Sequence, residues 1–191
     1  DPHELVEKET RYHSDLPFDE TLGLDFAGQR SLFGCSKTAA DIYVQEYGNY
    51  FGMNTVCFRP GCITGKRHQG AEQHGFLAYL AKCIKEGKMY KIYGYKGKQV
   101  RDQIHAHDLI TACYEFIQNP KSAAVYNMGG GPERSVSVLE AMELISKALE
   151  GKPYEYAETD EPRKGDRIWD VHDVSKFRRD YPNWDYKYSL S

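Results

Sequence analysis

The chain has 191 residues, 40% hydrophobic and 28% charged, enough for one substantial core without disulfide or metal staples. Its 25 basic residues against 28 acidic ones leave a net charge of −3, which excludes a broadly cationic nucleic-acid binder and argues against a membrane-surface protein. Mean hydropathy is −0.68, no apolar run approaches the length of a membrane span, and the acidic, polar opening from Asp1 to Glu9 does not read as a signal peptide.

The first thirty residues lack periodicity, carry Pro2, Pro17, Gly23 and Gly28, and are expected to form an extended loop. From Ser36 to Tyr50 the pattern is helical, with Ala39, Ala40, Tyr43, Tyr47 and Tyr50 at spacings of three and four, and Gly52 as the stop. Asn54 to Arg59 is a short strand. Gly61 to Gly75 is a glycine-rich loop with two histidines and two basic residues, and Phe76 to Glu86 a helix closed by Gly87. Tyr90 to Tyr93 and Gln99 to His105 are strands flanking a turn at Gly94 to Gly97. Asp108 to Gln118 is a helix ending before Pro120, and Ala124 to Met128 a strand running into three glycines. Ser137 and Glu140 form a capping-box pattern, followed by Val138, Met142, Ile145 and Leu149 on one face of a helix that Gly151 ends. A strand at Tyr154 to Ala157, a charged loop from Glu161 to Arg167 and a short helix from Asp173, stopped by Pro182, complete the series. Strands alternating with helices indicate an α/β fold.

The cysteines at 35, 57, 62, 83 and 113 are odd in number and include no CxxC pair, so reduced thiols of a cytoplasmic protein are expected rather than a disulfide framework. The 15 tyrosines are read as half-buried packing residues, with stacking on flat ligands as the alternative.

Several patches can carry chemistry. Lys37, at the head of the first helix, is disfavoured there by the helix dipole and so has either another task or a solvated position. In a strand, Gln99 and Arg101 face one side and Val100 and Asp102 the other, so Arg101 either grips a phosphate with its planar fork or makes a surface ion pair. Arg163, Lys164 and Arg167 lie in a loop fixed by Pro162 and Gly165, which suits a diphosphate or is simply solvated. His105 and His107 lack the further ligands a metal needs, and no metal site is expected. Gly129-Gly130-Gly131 departs from GxGxxG and reads as a tight strand-to-helix turn.

Taken in order, these segments resemble the extended short-chain dehydrogenases/reductases, the nucleotide-sugar epimerase/dehydratase family. Phe33-Gly34-Cys35-Ser36-Lys37 resembles Y-G-x-S-K, and Phe58-Arg59-Pro60-Gly61 through Gly65 resembles R-x-x-N-x-Y-G. Gln99 to Asp108 resembles Q-x-R-D-x-x-H-x-x-D. Tyr126 to Gly130 with Ser135 resembles Y-N-x-G-G and its serine, Arg163 to Asp166 resembles R-x-G-D, and Asp173 to Lys176 resembles D-x-S-K. The stretches S-K-x-x-A-D and G-K-Q-V-R-D-x-x-H-x-x-D are closest to the CDP-paratose (CDP-tyvelose) 2-epimerase subfamily.

The resemblance implies a Rossmann-like NAD-binding half and a smaller α/β half that holds the nucleotide sugar. Residues 1–60 would be the later part of the first and 61–191 mainly the second, with some strands and helices returning to the Rossmann sheet. The glycine-rich NAD loop is expected before Asp1, so this stretch alone should hold NAD weakly. The implied reaction is epimerisation or dehydration through transient oxidation to a keto sugar. Lys37 would bind the nicotinamide ribose and lower the tyrosine pKa, with Pro60 and Gly61 also at the cofactor. Arg101 and Arg163 would grip the diphosphate of a CDP- or UDP-linked sugar, with Cys62 and His74 at the sugar and the loop from Lys66 to His74 near it. A homodimer through the helix carrying Ser36-Lys37 is implied; no nucleic acid or membrane partner is. Two departures stand out. The motif tyrosine is Phe33, which has no ionisable proton, and Cys62 and Thr64 replace asparagine and tyrosine. Three explanations of Phe33 are therefore open: an intact epimerase with a substitute base, at Cys35 or on a segment before Asp1, a non-catalytic nucleotide-sugar-binding relative, or an engineered Tyr→Phe change. A structural α/β domain is the third reading.

Overall fold

The computed structural model describes residues 4–23, 31–72, 74–163 and 165–190. Pro2 and Gly28, expected in the opening loop, lie outside them. In place of an unbroken loop, the chain starts with a small antiparallel hairpin, β1 (Val6–Glu7) and β2 (Tyr12–His13), and Phe18 bridges in parallel to His172. Phe18 meets a segment far along the chain and each hairpin strand has only two residues, so local pattern could not show them.

Helix α1 runs over Leu32–Phe51, starting four residues before the expected Ser36, because the Ser31 hydroxyl accepts from the Gly34 N–H as an N-cap. Gly52 ends it in a left-handed conformation, as the sequence indicated. Lys37 is therefore in the second turn, where the dipole argument loses its force. The apolar periodicity gives a helix but not a buried stripe: Ile42, Tyr43, Tyr47, Tyr50 and Phe51 are all exposed.

Strand β3 (Val56–Pro60) follows, then β4 (Cys62–Thr64) inside the expected loop. Helix α2 (Phe76–Glu86) and strand β5 (Tyr90–Tyr93) fall where predicted. Strand β6 (Val100–His105) runs into α3 (Ala106–Gln118), then β7 (Ala124–Met128), β8 (Ser135–Ser137), α4 (Val138–Ala148), β9 (Tyr156–Thr159), β10 (Trp169–Asp170) and α5 (Ser175–Asp180). Strands β8 and β10 were not anticipated; each is short and defined only by pairing with β6. Strand β9 begins two residues later than the pattern indicated.

Pairing is mostly parallel. β3 pairs with β7, β4 and β10 with β6, and β5 with β9, while β8 joins β6 antiparallel. Parallel neighbours need long crossovers, and the intervening helices supply them. One core lies between α2, α4 and β5, built on Leu80, Ile84, Ile92 and Met142. A second, aromatic core packs Phe58, Phe116, Tyr126, Phe177 and Trp184 between the β3–β7 pair, α3 and α5. The capping box is formed, with Ser137 and Glu140 bonded reciprocally.

Candidate functional site

Two adjoining cavities take up the chemistry-bearing residues. Pro60 lines one and Gly61 the other, so consecutive residues of one segment separate them.

The first cavity, about 820 Å³, lies at the end of β4 and β6 and is flanked by Gly65–His68, His74 and Gly75 on one side and by Arg163 and Asp166 on the other. Arg101 and Arg163, far apart in the sequence, both line it, together with Gly61, Cys62 and His74. Parallel pairing of β6 with β10 sets Arg101 against Asp170 and so beside the loop that ends in Arg167. There its guanidinium bonds the Asp166 carboxylate and the carbonyls of Arg167 and Val100. Arg163 lies over the Tyr93 ring, 4.6 Å from guanidinium carbon to centroid, and donates to the Glu72 carbonyl at 2.6 Å. Each guanidinium keeps N–H donors beyond those bonds, since an arginine has five. The Cys62 thiol is pushed up to about 11 by burial, so it is a neutral, compact wall residue and neither base nor nucleophile at neutral pH. His74 is exposed, its ring 6.2 Å from that of His68.

The second cavity, about 690 Å³, is lined by Phe33, Lys37, Asp41, Arg59, Pro60 and His172 among others. Phe33 is exposed at the start of α1, and the Lys37 ammonium sits 5.4 Å from its ring centroid. Lys37 makes no hydrogen bond or ion pair among the described residues, so its three donors are available to a ligand. Asp41 holds Arg59 by two bonds, 2.8 Å from Nε and 2.7 Å from Nη2, clamping α1 to β3. The Arg59 hydrogen bond keeps the Asp41 carboxyl below its usual range. Cys35, a candidate substitute base, is exposed on α1 and lines neither cavity.

Between the cavities lies Asp102, the neighbour of Arg101 on the opposite face of β6. It is fully buried and accepts from the Gly131 N–H at 3.0 Å, the His172 N–H at 2.9 Å and His172 Nδ1 at 3.1 Å. The backbone closes tightly around it: a Cβ on Gly61 or Gly129 would fall 2.0 or 1.9 Å from an Asp102 carboxylate oxygen. Those glycines allow the close approach of Asp102. Burial opposes a charge on His172, but the hydrogen bond and charge of Asp102 outweigh it, and its pKa is raised.

The other motif residues also act mainly as structural ties. His105 caps α3 by accepting from the His107 N–H, and its ring stacks on Tyr188 at 4.0 Å. Asp108 is buried and accepts from the Lys187 and Tyr188 N–H groups. Tyr126 donates to Asp180, Asn127 Nδ2 to the Phe18 carbonyl, and Lys176 to the Val125 carbonyl. Lys66, Arg67 and His68, in the loop expected near the sugar, line the first cavity, while Asp166 there and His172 in the second are among the lining residues that the sequence reading did not assign to a site. The Lys66-Arg67 pair between glycines was a readable signal; His172 gave none.

Residues 8–129 match the NAD-dependent epimerase/dehydratase family. The chain is 38% identical over 149 residues to CDP-paratose 2-epimerase of Salmonella typhi, covering 73% of this chain and 43% of the relative. It is 30% identical over 162 residues to dTDP-glucose 4,6-dehydratase of Haemophilus influenzae, covering 84% and 43%. The chain thus spans less than half the length of either relative. Among solved structures, DesIV, a dTDP-glucose 4,6-dehydratase from Streptomyces venezuelae with NAD and TYD bound, superposes with a TM-score of 0.76 at 18% identity, over 93% of this chain and 52% of that one. UDP-glucose 4-epimerase of Thermus thermophilus in complex with NAD gives 0.73 at 22% identity, over 91% and 56%. At those identities the structural likeness establishes the fold, a Rossmann-like α/β architecture.

Proposed function

The chain belongs to the NAD-dependent epimerase/dehydratase family, and on that premise we propose that it forms the nucleotide-sugar side of an NAD-dependent epimerase or dehydratase acting on a CDP- or UDP-linked sugar. The observation that carries this is the convergence of Arg101 and Arg163 on one cavity. Planar guanidinium groups from a strand and a loop suit the oxygens of a diphosphate, and charge-assisted bonds of that kind are among the stronger polar contacts. Cys62 and His74 then meet the sugar.

Lys37, with its donors available on the wall of the second cavity, fits the ribose hydroxyls at the nicotinamide end of the cofactor. NAD supplies the hydride acceptor and donor. The chain's own part is to hold the sugar diphosphate with Arg101 and Arg163 and to keep the cofactor ribose in register with Lys37. Phe33 cannot remove a hydroxyl proton, so proton transfer must fall to another group. Residues 1–60 are assigned to the Rossmann-like unit and 61–191 mainly to the nucleotide-sugar unit. The β3–β7 pairing, which returns residues 124–128 to the first unit, supports that division. The exposed apolar face of α1 supports a homodimer, and the reduced thiols a cytoplasmic setting.

The second reading, a relative that binds nucleotide sugars without turning them over, is favoured by Phe33. Incubation with NAD⁺ and a panel of CDP-, UDP- and dTDP-sugars separates the two. Epimerised or dehydrated product supports the enzyme. Binding without product, together with turnover gained in Phe33→Tyr, supports the binding relative. A panel with no bound sugar nucleotide sinks both.

A further inference from the structure

The first cavity holds more positive charge than a diphosphate uses. Arg101 and Arg163 are the pair proposed above for its two phosphoryl groups, yet Lys66 and Arg67 also line the wall, with His68 and His74 beside them. Among the described lining residues the one carboxylate is Asp166, and it is already engaged by Arg101. The Gly65–His68 turn, closed by the His68 N–H on the Gly65 carbonyl at 2.9 Å, carries Lys66 and Arg67. Neither makes an ion pair or side-chain hydrogen bond among the described residues. The next acidic residue in the loop, Glu72, turns its carboxylate to the Tyr93 hydroxyl at 2.7 Å instead. Like charges gathered without a partner around a concave wall repel one another and raise the local concentration of anions.

We propose that this cavity selects a nucleotide sugar whose sugar ring bears a carboxylate, with Lys66 and Arg67 as the residues that read it. The proposal rests on the nucleotide-sugar assignment above and narrows it from a diphosphate-linked sugar to an acidic one. The Arg67 fork accepts a carboxylate by two parallel bonds, and Lys66 adds a mobile point charge. Both side chains are exposed on the loop, so they select the ligand without supporting the fold.

UDP-glucose and UDP-glucuronate differ only in the oxidation state of the sixth sugar carbon, a hydroxymethyl in one and a carboxylate in the other, and calorimetric titration of the chain with each is the test. UDP-glucuronate is expected to bind about 10-fold tighter at low ionic strength, a ratio that shrinks with added salt. In a Lys66→Ala/Arg67→Ala variant, checked for folding by circular dichroism, that ratio should fall to about 2-fold or less as the charge-assisted bonds are lost. Equal affinities, a preference for UDP-glucose, or a preference that survives the double substitution overturns the acidic-sugar inference and leaves the nucleotide-sugar reading in place. If neither sugar nucleotide binds the folded chain, both fall.

Discussion

The two cavities are built in opposite ways. The first is over-determined: Arg101 is tied to three acceptors, Asp102 behind it is locked by the backbone of two distant segments, and glycines at 61 and 129 make room for that lock. In the second, the Asn127 and His172 side is tied in the same way, but on the α1 side the Asp41–Arg59 clamp stands behind Phe33 and Lys37, which project from an exposed helix end. The difference teaches that adjacent motif residues divide their labour. On β6, Arg101 faces the first cavity and Asp102 fixes the strand that presents it. On α1, Asp41 secures the helix while Lys37 keeps its donors open.

The comparison breaks most visibly at Asp102. Asp102→Ala leaves two backbone N–H groups and a raised-pKa imidazole buried without their acceptor, and should cost about 3–5 kcal/mol in urea unfolding. A loss below ~1 kcal/mol would show that the lock is dispensable. Next in size, Arg101→Ala should weaken nucleotide-sugar binding by roughly 2 kcal/mol, read by calorimetry, whereas Phe33→Ala should leave that affinity nearly unchanged. Equal losses from both would merge the two cavities into one binding site.

A smaller effect depends on pH. A raised pKa in the folded state means that the His172–Asp102 pair stabilises fully below the unfolded imidazole value of 6.5, and that this stability is lost as pH rises through the folded value. The stability gap between the native chain and His172→Gln should therefore be widest in mild acid and narrow toward pH 9. A gap that widens with pH would reverse the assignment. Smallest of all, Lys37→Ala should change thermal stability by no more than ~0.5 kcal/mol, as for an exposed side chain with no polar partner among the described residues.

The helices and longer strands were legible because their signals are local. Gly52 and Gly87 stop helices in left-handed conformations, and the Ser137–Glu140 box starts α4 within four residues. β4, β8 and β10 were not, since each has at most three residues and exists by pairing with β6. The motif arginines were legible as candidates, but the carboxylates of the same motifs gave no sign that Asp102 and Asp108 are internal ties. A buried acceptor and a catalytic acid are the same letter; only their surroundings differ.

Residue order alone determined the alternation of strands and helices, the family motifs and the loss of an ionisable group at Phe33, because periodicity, capping and side-chain chemistry are properties of short segments. Tertiary structure decided which motif residues share a cavity, that Gly61 faces the arginines while Pro60 faces Lys37, and that His172 meets Asp102. Those outcomes depend on parallel pairing between segments far apart in the chain, whose register is set by packing across the sheet and not by any neighbouring residue.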